Sequence, residues 1–105
     1  MTRPVRLHPL ASAEIVDAQR WYEERVAGLG DRFILAVRAA TERAARWPNA
    51  GTPVRVEADG SVAERRMATP GFPHAVVYRV RDEEVQVLAV HHQRRQPEYW
   101  AGRSD

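Results

Sequence analysis

Two segments, HAVVYRV (His74–Val80) and EVQVLAVHH (Glu84–His92), decide the fold, because both follow the two-residue period of a β-strand on either side of the polar residues Asp82 and Glu83. Two strand patterns separated by so short a polar break predict a β-hairpin. The first strand is apolar on both faces, with Val76, Tyr78 and Val80 on one face and Ala75 and Val77 on the other. Strands that are buried on both faces lie in the middle of a sheet, so we expect this hairpin to be central.

The residues before the hairpin supply a further strand. Val62–Met67 has the same period, and TPGFP (Thr69–Pro73) is a turn that connects it to the hairpin. These three strands are expected to form an antiparallel sheet. Residues 49–61 hold two turn clusters, which predict either a loop throughout or a loop that contains a strand at Val54–Glu57.

Two helices precede the sheet. From Leu10 to Ala27, apolar side chains recur at steps of four, three and four residues, which is the period of one helix face. The second helix has the most regular stripe and ends at Pro48, because proline cannot continue a helix. Its stripe consists of Phe33, Val37, Ala40, Ala44 and Trp47. Gly28–Gly30 separates the two helices, and Asp31 is predicted to cap the second one.

The order of these elements predicts the fold class. A short strand at Val5–His8, stopped by Pro9, comes first. The chain is therefore expected to be α+β, with a short N-terminal strand, a helical hairpin and then a three-stranded antiparallel sheet whose one face the helices cover. With 105 residues, a single domain over residues 1–105 is large enough to bury a core. Tyr22, Phe33 and Trp47 are predicted to be core aromatics.

Composition places the chain among globular proteins and excludes several kinds of chemistry. Hydrophobic residues make up 44% and charged residues 29%, and no apolar run reaches the roughly 18 residues of a membrane span. We therefore expect a cytoplasmic protein with no membrane among its partners. Because cysteine is absent, disulfides, thiolate metal sites and cysteine nucleophiles are excluded. All 16 basic residues are arginine, but the net charge of only +2 argues against a plain nucleic-acid-binding module.

Four blocks of sequence follow one another along the chain: WYEERVAGLGDRF (Trp21–Phe33), WPNAGTPVR (Trp47–Arg55), GFPHAVVYRV (Gly71–Val80) and VLAVHHQRRQPEYW (Val87–Trp100). In this order they resemble the RelE/ParE superfamily, the toxins and plasmid stabilisation proteins of type II toxin–antitoxin systems. The resemblance implies the strand, two-helix and antiparallel-sheet layout derived above. It also implies a growth-inhibiting toxin held in a hetero-oligomer by a cognate antitoxin, whose partly disordered segment wraps the toxin.

The superfamily has two main activities. RelE-like members cleave mRNA on the ribosome, whereas ParE-like members inhibit DNA gyrase without cutting RNA. Metal-free RNA cleavage needs cations around the phosphate and groups that move protons. The candidates here are Arg65, Arg66, Arg95 and Tyr99. The resemblance aligns Ala75 and Gln93 with two basic positions of the cleaving branch, so this set is incomplete. A ParE-like, non-enzymatic toxin acting on gyrase is therefore preferred, with an mRNA endonuclease as the alternative.

Contact with a partner is predicted for five residues. They are Trp21, Arg79, His92, Arg94 and Trp100. Trp21 lies one position off its helix stripe, where its ring is able to reach the sheet or a partner. Plainer alternatives stay open. Arg65, Arg66 and Arg79 belong to a solvated sheet face or pair with carboxylates of the antitoxin. Tyr99 and Trp100 pin the C-terminal tail instead of stacking on bases.

No metal and no cofactor are expected. His91 and His92 are successive residues of a strand, so they point to opposite faces and are poorly placed to share an ion. Glu14 and Asp17 lie three residues apart on the first helix, and such pairs usually belong to a solvated helix face. None of the serines has the sequence context of a hydrolase nucleophile.

Overall fold

The computed structural model describes residues 2–93 and 99–103, which form two helices packed on a five-stranded sheet. In chain order the elements are β1 (Val5–Leu7), α1 (Pro9–Arg25), α2 (Leu29–Arg46), β2 (Thr52–Val56), β3 (Val62–Ala68), β4 (His74–Arg81) and β5 (Glu84–His92). The sheet order is β1-β5-β4-β3-β2, in which β1 is parallel to β5 and the other neighbours are antiparallel. The predicted α+β class and order of elements are confirmed. Neither helix of the described residues has both the length and the apolar character to cross a membrane.

The sheet has two more strands than the three that were predicted. Residues 52–56 form β2 along the edge of β3, so the strand alternative for this segment is right, with a shift of its boundaries. β1 joins the other edge, where Val5 lies opposite Val85 and Leu7 opposite Val87. Parallel pairing requires a crossover, and the helical hairpin after β1 begins that return path.

The β4–β5 hairpin is central, as predicted, and turns at Asp82 and Glu83. Both turn residues have left-handed backbones, with φ of 54° and 62°. A two-residue turn with positive φ at both positions matches the right-handed twist of the strands that it joins. In the sheet, β4 is the middle strand and β5 lies beside it.

A bulge in β5 decides which side chains face the helices. Val77 pairs with Ala89, but Tyr78 pairs with Val87, so Leu88 is an extra residue. Such an insertion shifts the alternation of the strand. Valines on the helix side precede and follow the bulge, whereas Leu88 and Ala89 both face the opposite side of the sheet.

The main core lies between the helical hairpin and the sheet. Four residues of the predicted α2 stripe are buried there: Phe33, Val37, Ala40 and Ala44. Valines and a tyrosine of β4 and β5 face them, and Tyr22 of α1 packs against this core while remaining half-buried. A second, smaller cluster on the other face of the sheet contains Val77, Leu88, Ala89 and Trp100.

Trp47 does not belong to the core, contrary to the prediction. The residue is 57% exposed. α2 ends at Arg46, and Trp47 has φ −130° and ψ 76°, outside the helical region. Its side chain therefore does not continue in the direction that the helix gives to Phe33 and Ala44.

The start of α2 also differs from the prediction. Asp31 lies inside the first turn instead of capping it, because the helix begins two residues earlier. A residue of α1 caps this helix instead: the Glu23 carboxylate accepts hydrogen bonds from the backbone N–H groups of Gly28 and Gly30, both at 2.9 Å. The helices approach closely at this point: a Cβ on Gly30 would lie 2.8 Å from the carbonyl oxygen of Gln19.

Candidate functional site

A groove of about 740 Å³ opens between α1 and the end of the sheet where β4 begins and β5 ends. It brings together Trp21 and His92, two of the residues predicted to contact a partner. The other residues of its walls are Glu14, Asp17, Ala18, Tyr22, Pro73, His74 and Val90. A concave surface with apolar and aromatic walls and a few polar groups is the usual form of a binding site.

Tyr22 is the centre of the aromatic wall of this groove. Its ring centroid lies 5.1 Å from that of Trp21, 5.3 Å from Phe33 and 5.0 Å from Phe72. The contacts with Trp21 and Phe72 are edge-to-face, a geometry that adds stability beyond burial alone. Burial raises the pKa of Tyr22, so the phenol keeps its proton at neutral pH. This wall is therefore held in place by the core and carries no charge.

His74 lines the groove as a neutral imidazole. Its side chain is buried, and its Nδ1 lies 3.5 Å from the hydroxyl of Tyr22. Burial, followed by the neighbouring His92 and His91, lowers the pKa of His74 to about 4. The ring of His92 meets it edge-to-face, with centroids 4.9 Å apart.

Trp21 is the most exposed aromatic residue of the groove. It is 51% exposed, and the guanidinium of Arg25 lies 3.5 Å from its ring centroid. The same guanidinium donates a hydrogen bond to the Trp21 carbonyl oxygen at 3.0 Å. The indole is thus oriented before any partner arrives, and exposed tryptophan of this kind is typical of the residues that dominate binding energy. Asp17 adds an exposed carboxylate at the rim.

A half-buried ion pair closes the edge of the sheet beneath the groove. β1 ends at Leu7, and beyond it Glu14 accepts a hydrogen bond from the backbone N–H of Val90 at 3.0 Å. Arg103 pairs with Glu14 at 3.2 Å and donates to the carbonyl oxygen of Leu88 at 2.9 Å. The two side chains replace the strand that is missing there. Glu14 is therefore not part of a solvated face, and no local pattern signals its pairing with a residue 89 positions away.

On the opposite face of the sheet, Trp100 is buried and anchors the C-terminal tail. Its exposed fraction is 2%, and its indole N–H donates to the Glu64 carboxylate at 2.9 Å. The ring of His91 lies 5.1 Å from it and 5.4 Å from the ring of Tyr99. These contacts correspond to the tail-pinning alternative considered for Tyr99 and Trp100.

The arginines predicted from sequence are divided between the two faces. Arg65 pairs across the sheet with Tyr78 on the helix side and donates to the carbonyl oxygen of Gly51 at 3.0 Å. Arg66 is exposed and pairs with Val77 on the opposite face. Side chains of directly opposed residues share a face, so the sheet separates the two guanidinium groups.

The other basic candidates do not join Arg65. Arg79 is half-buried and donates from Nε to the side-chain oxygen of Gln86 at 2.8 Å. The guanidinium of Arg103 lies over the ring of Tyr99, 5.2 Å from the centroid of that ring. Arg94 and Arg95 lie outside the described residues.

His91 and His92 face opposite sides of β5, as predicted. The first contacts Trp100 beneath the sheet, and the second contacts His74 in the groove. Over residues 2–93 and 99–103, no three or more side chains of histidine, aspartate or glutamate are grouped so as to hold a metal ion.

The fold described above defines the class of protein: a small α+β domain with a strand, a helical hairpin and an antiparallel sheet. A solved chain described as "Chromosomal ParDE TA system from P. aeruginosa" has the same fold, with a TM-score of 0.61 and 18% sequence identity. The match covers 87% of this chain and 96% of that one.

Sequence comparison places the chain within one family of this class. Residues 5–97 match the family described as "ParE toxin of type II toxin-antitoxin system, parDE". Toxin ParE2 of Mycobacterium tuberculosis, in strains CDC 1551 and H37Rv, is 31% identical over 93 residues, which are 88% of this chain and 83% of the relative. The chain belongs to the ParE toxin family, within the RelE/ParE superfamily that its four sequence blocks resemble. It is a ParE-like type II toxin whose regular partner is a cognate antitoxin.

Proposed function

We propose that this toxin inhibits DNA gyrase by binding to it, without cutting RNA, and that its antitoxin silences it by covering the groove around Trp21 and His92. Both interactions are contacts between proteins of the cytoplasm, and neither requires a metal or a cofactor. The observation that carries the proposal is the separation of Arg65 from Arg66 and Tyr99 by the sheet.

RNA cleavage without a metal depends on preorganised cations around one phosphate, and losing one such donor typically costs about a hundredfold or more in rate. Arg65 faces the helix side and is held by the Gly51 carbonyl, whereas Arg66 faces the side on which Tyr99 lies. Ala75, aligned with a basic position of the cleaving branch, is buried and uncharged. This arrangement favours an inhibitor over an endonuclease.

The groove supports the second half of the proposal. It has the volume and the aromatic walls to receive apolar side chains from one face of a helix. Trp21 projects into it with half of its surface exposed, in the position of an anchor that a partner would bury. An antitoxin seated there would remove this exposed aromatic surface from water.

The test uses purified toxin in two parallel assays, gyrase supercoiling and translation on purified ribosomes. We expect inhibition of supercoiling, no codon-position-dependent mRNA cleavage, and recovery of supercoiling when the small protein encoded beside the toxin gene is added. Trp21→Ala should weaken binding of that protein by roughly 30-fold, a typical loss for an interface anchor. Val16→Ala, which truncates an exposed apolar residue of the same helix outside the groove, is the matched control and should bind as the unmodified chain does.

Ribosome-dependent cuts that are abolished by Tyr99→Phe or Arg95→Ala would overturn the proposal and establish the mRNA endonuclease alternative. If both assays show no activity while the antitoxin still binds, gyrase is not the target. Equal antitoxin affinities of Trp21→Ala and Val16→Ala would place the antitoxin elsewhere on the toxin.

A further inference from the structure

The face of α2 that points away from the sheet carries a stripe of arginines and exposed apolar residues. Arg32, Leu35, Ala39, Arg43 and Arg46 follow one another at steps of three and four, so they lie along one side of the helix. All five are exposed, and Leu35 has 59% of its surface in water. The exposed Trp47 follows directly at the end of this stripe.

The arginines of the stripe are not neutralised by the rest of the described chain. Arg32, Arg43 and Arg46 form no ion pair among residues 2–93 and 99–103, although Glu42 lies beside them on the helix. The guanidinium of Arg46 instead lies 5.3 Å from the ring centroid of Trp47. Three cations outnumber the two neighbouring carboxylates of Asp31 and Glu42, so the stripe keeps a net positive charge in a protein whose total is only +2.

The core anchors the backbone that follows Trp47. The residue after it, Pro48, accepts a hydrogen bond at 2.7 Å from the buried hydroxyl of Tyr78. The same hydroxyl accepts one at 3.1 Å from the backbone N–H of Gly51, whose own carbonyl accepts from Arg65. The indole borders a cavity of about 500 Å³ that Arg43 and Arg46 also line. An anchored backbone limits the freedom that this segment loses on binding, and tryptophan and arginine are enriched at the centres of protein interfaces.

We propose that this stripe binds an acidic, amphipathic segment of the cognate antitoxin, with carboxylates opposite Arg43 and Arg46 and an apolar side chain in the cavity beside Trp47. The inference rests on the antitoxin partnership and adds a second contact to the groove around Trp21. Charge complementarity selects the partner: the exposed apolar groups favour a polypeptide, and the net positive charge of the stripe favours one that carries carboxylates.

The two contacts lie within reach of one flexible segment. The groove adjoins Tyr22, which packs on Phe33 near the start of α2, whereas Trp47 follows its end. α2 has 18 residues and is therefore about 27 Å long. Roughly eight or nine extended residues span the length of α2, so an antitoxin segment with at least that many residues beyond the groove is long enough to follow α2 to Trp47.

The experiment measures binding of the antitoxin, expressed from the neighbouring gene, to purified toxin variants by calorimetry at two salt concentrations. Trp47→Ala should weaken binding by roughly 30-fold. The double variant Arg43→Gln/Arg46→Gln should weaken it by at least about tenfold and reduce its salt dependence. The control Arg20→Gln/Arg81→Gln removes the same charge from exposed positions outside the stripe and should have little effect. Melting temperatures should stay close to that of the unmodified chain, because all these side chains are exposed.

Affinities of the stripe variants equal to that of the control variant would refute the proposal. If they bind the antitoxin normally but lose gyrase inhibition, the stripe belongs to the target, and if they change only self-association, it binds a second copy. Nucleic acid is the occupant if they lose only binding to a DNA duplex. If the unmodified chain does not bind the antitoxin, the partnership itself is refuted. If the unmodified chain binds and the stripe variants bind equally well, only the role of this surface is refuted.

Discussion

Replacing Phe33 by alanine tests the assignment of the core most directly. Phe33 is fully buried, and its ring lies 5.3 Å from Tyr22, 5.3 Å from Phe72 and 4.9 Å from His74 between centroids. Truncation leaves a cavity that these rings cannot collapse to fill, and buried phenylalanine-to-alanine changes cost about 3–5 kcal/mol. Domains of this size have a free energy of unfolding of about 5–15 kcal/mol, so the variant should lose a large part of its stability.

The matched control is Trp47→Ala, which removes a larger aromatic ring from the same predicted helix stripe. Trp47 is 57% exposed, so its loss should lower the free energy of unfolding by less than about 1 kcal/mol. Urea unfolding followed by far-UV circular dichroism measures both changes, with equal slopes confirming that the same surface is exposed on unfolding. The corresponding fall in melting temperature for Phe33→Ala is on the order of 15–30 °C.

Equal destabilisation by the two changes would refute the reasoning. It would mean that Trp47 packs into the core as its place in the helical period suggests, and that the exposure of its ring is wrong. A small effect of Phe33→Ala alone would show that the rings of Tyr22 and Phe72 move to close the space.

Two further predictions follow from buried polar groups. The folded-state pKa of His74 is lowered to about 4 from an ordinary value of 6.5, so as the pH falls the unfolded chain is protonated at His74 before the folded chain is. The stability that comes from the neutral His74 is therefore fully present above about pH 6.5 and is lost as the pH falls toward 4. Urea unfolding at several pH values should show a loss about 2 kcal/mol smaller for His74→Gln than for the unmodified chain over this window, and identical pH profiles would contradict the burial of a neutral imidazole. Tyr78→Phe removes the hydroxyl that bonds Pro48 and Gly51, which leaves the buried N–H of Gly51 and the half-buried carbonyl of Pro48 without this partner at a cost of about 1–3 kcal/mol. Tyr22→Phe removes a hydroxyl whose contact with His74 is long, at 3.5 Å, so it should cost clearly less in the same unfolding experiment.

Local patterns were sufficient for the elements that build the core. The stripe from Phe33 to Ala44 and the two-faced apolar strand around Val76 depend only on the periods of helix and strand, and these positions are buried as predicted. The polar pair Asp82 and Glu83 likewise marks the hairpin turn, because two residues are enough to reverse a chain. The four sequence blocks indicated the family for the same reason, since each is a continuous piece of sequence.

The ends of α2 could not be predicted from such patterns. Trp47 keeps the spacing of the α2 stripe, but one residue beyond Arg46 the backbone has left the helix and the spacing no longer determines the direction of the ring. Asp31 has the side chain of a cap, yet the carboxylate that binds the first amides of α2 comes from Glu23 on the preceding helix. The first rule failed because the helix had ended, and the second because a neighbouring helix supplied the cap.

The candidate surfaces depend on contacts between residues far apart in the chain. The sequence by itself determined that Trp21 lies off the apolar stripe of its helix and that His91 and His92 diverge, because both follow from the period of a single element. Only the tertiary structure decided that Trp21 and His92 share one groove, that the sheet separates Arg65 from Arg66 in the folded domain, and that Glu14 meets Arg103. The physical reason is that period and propensity act over a few residues, whereas strand register, the bulge at Leu88 and the parallel pairing of β1 are set by how the whole core packs.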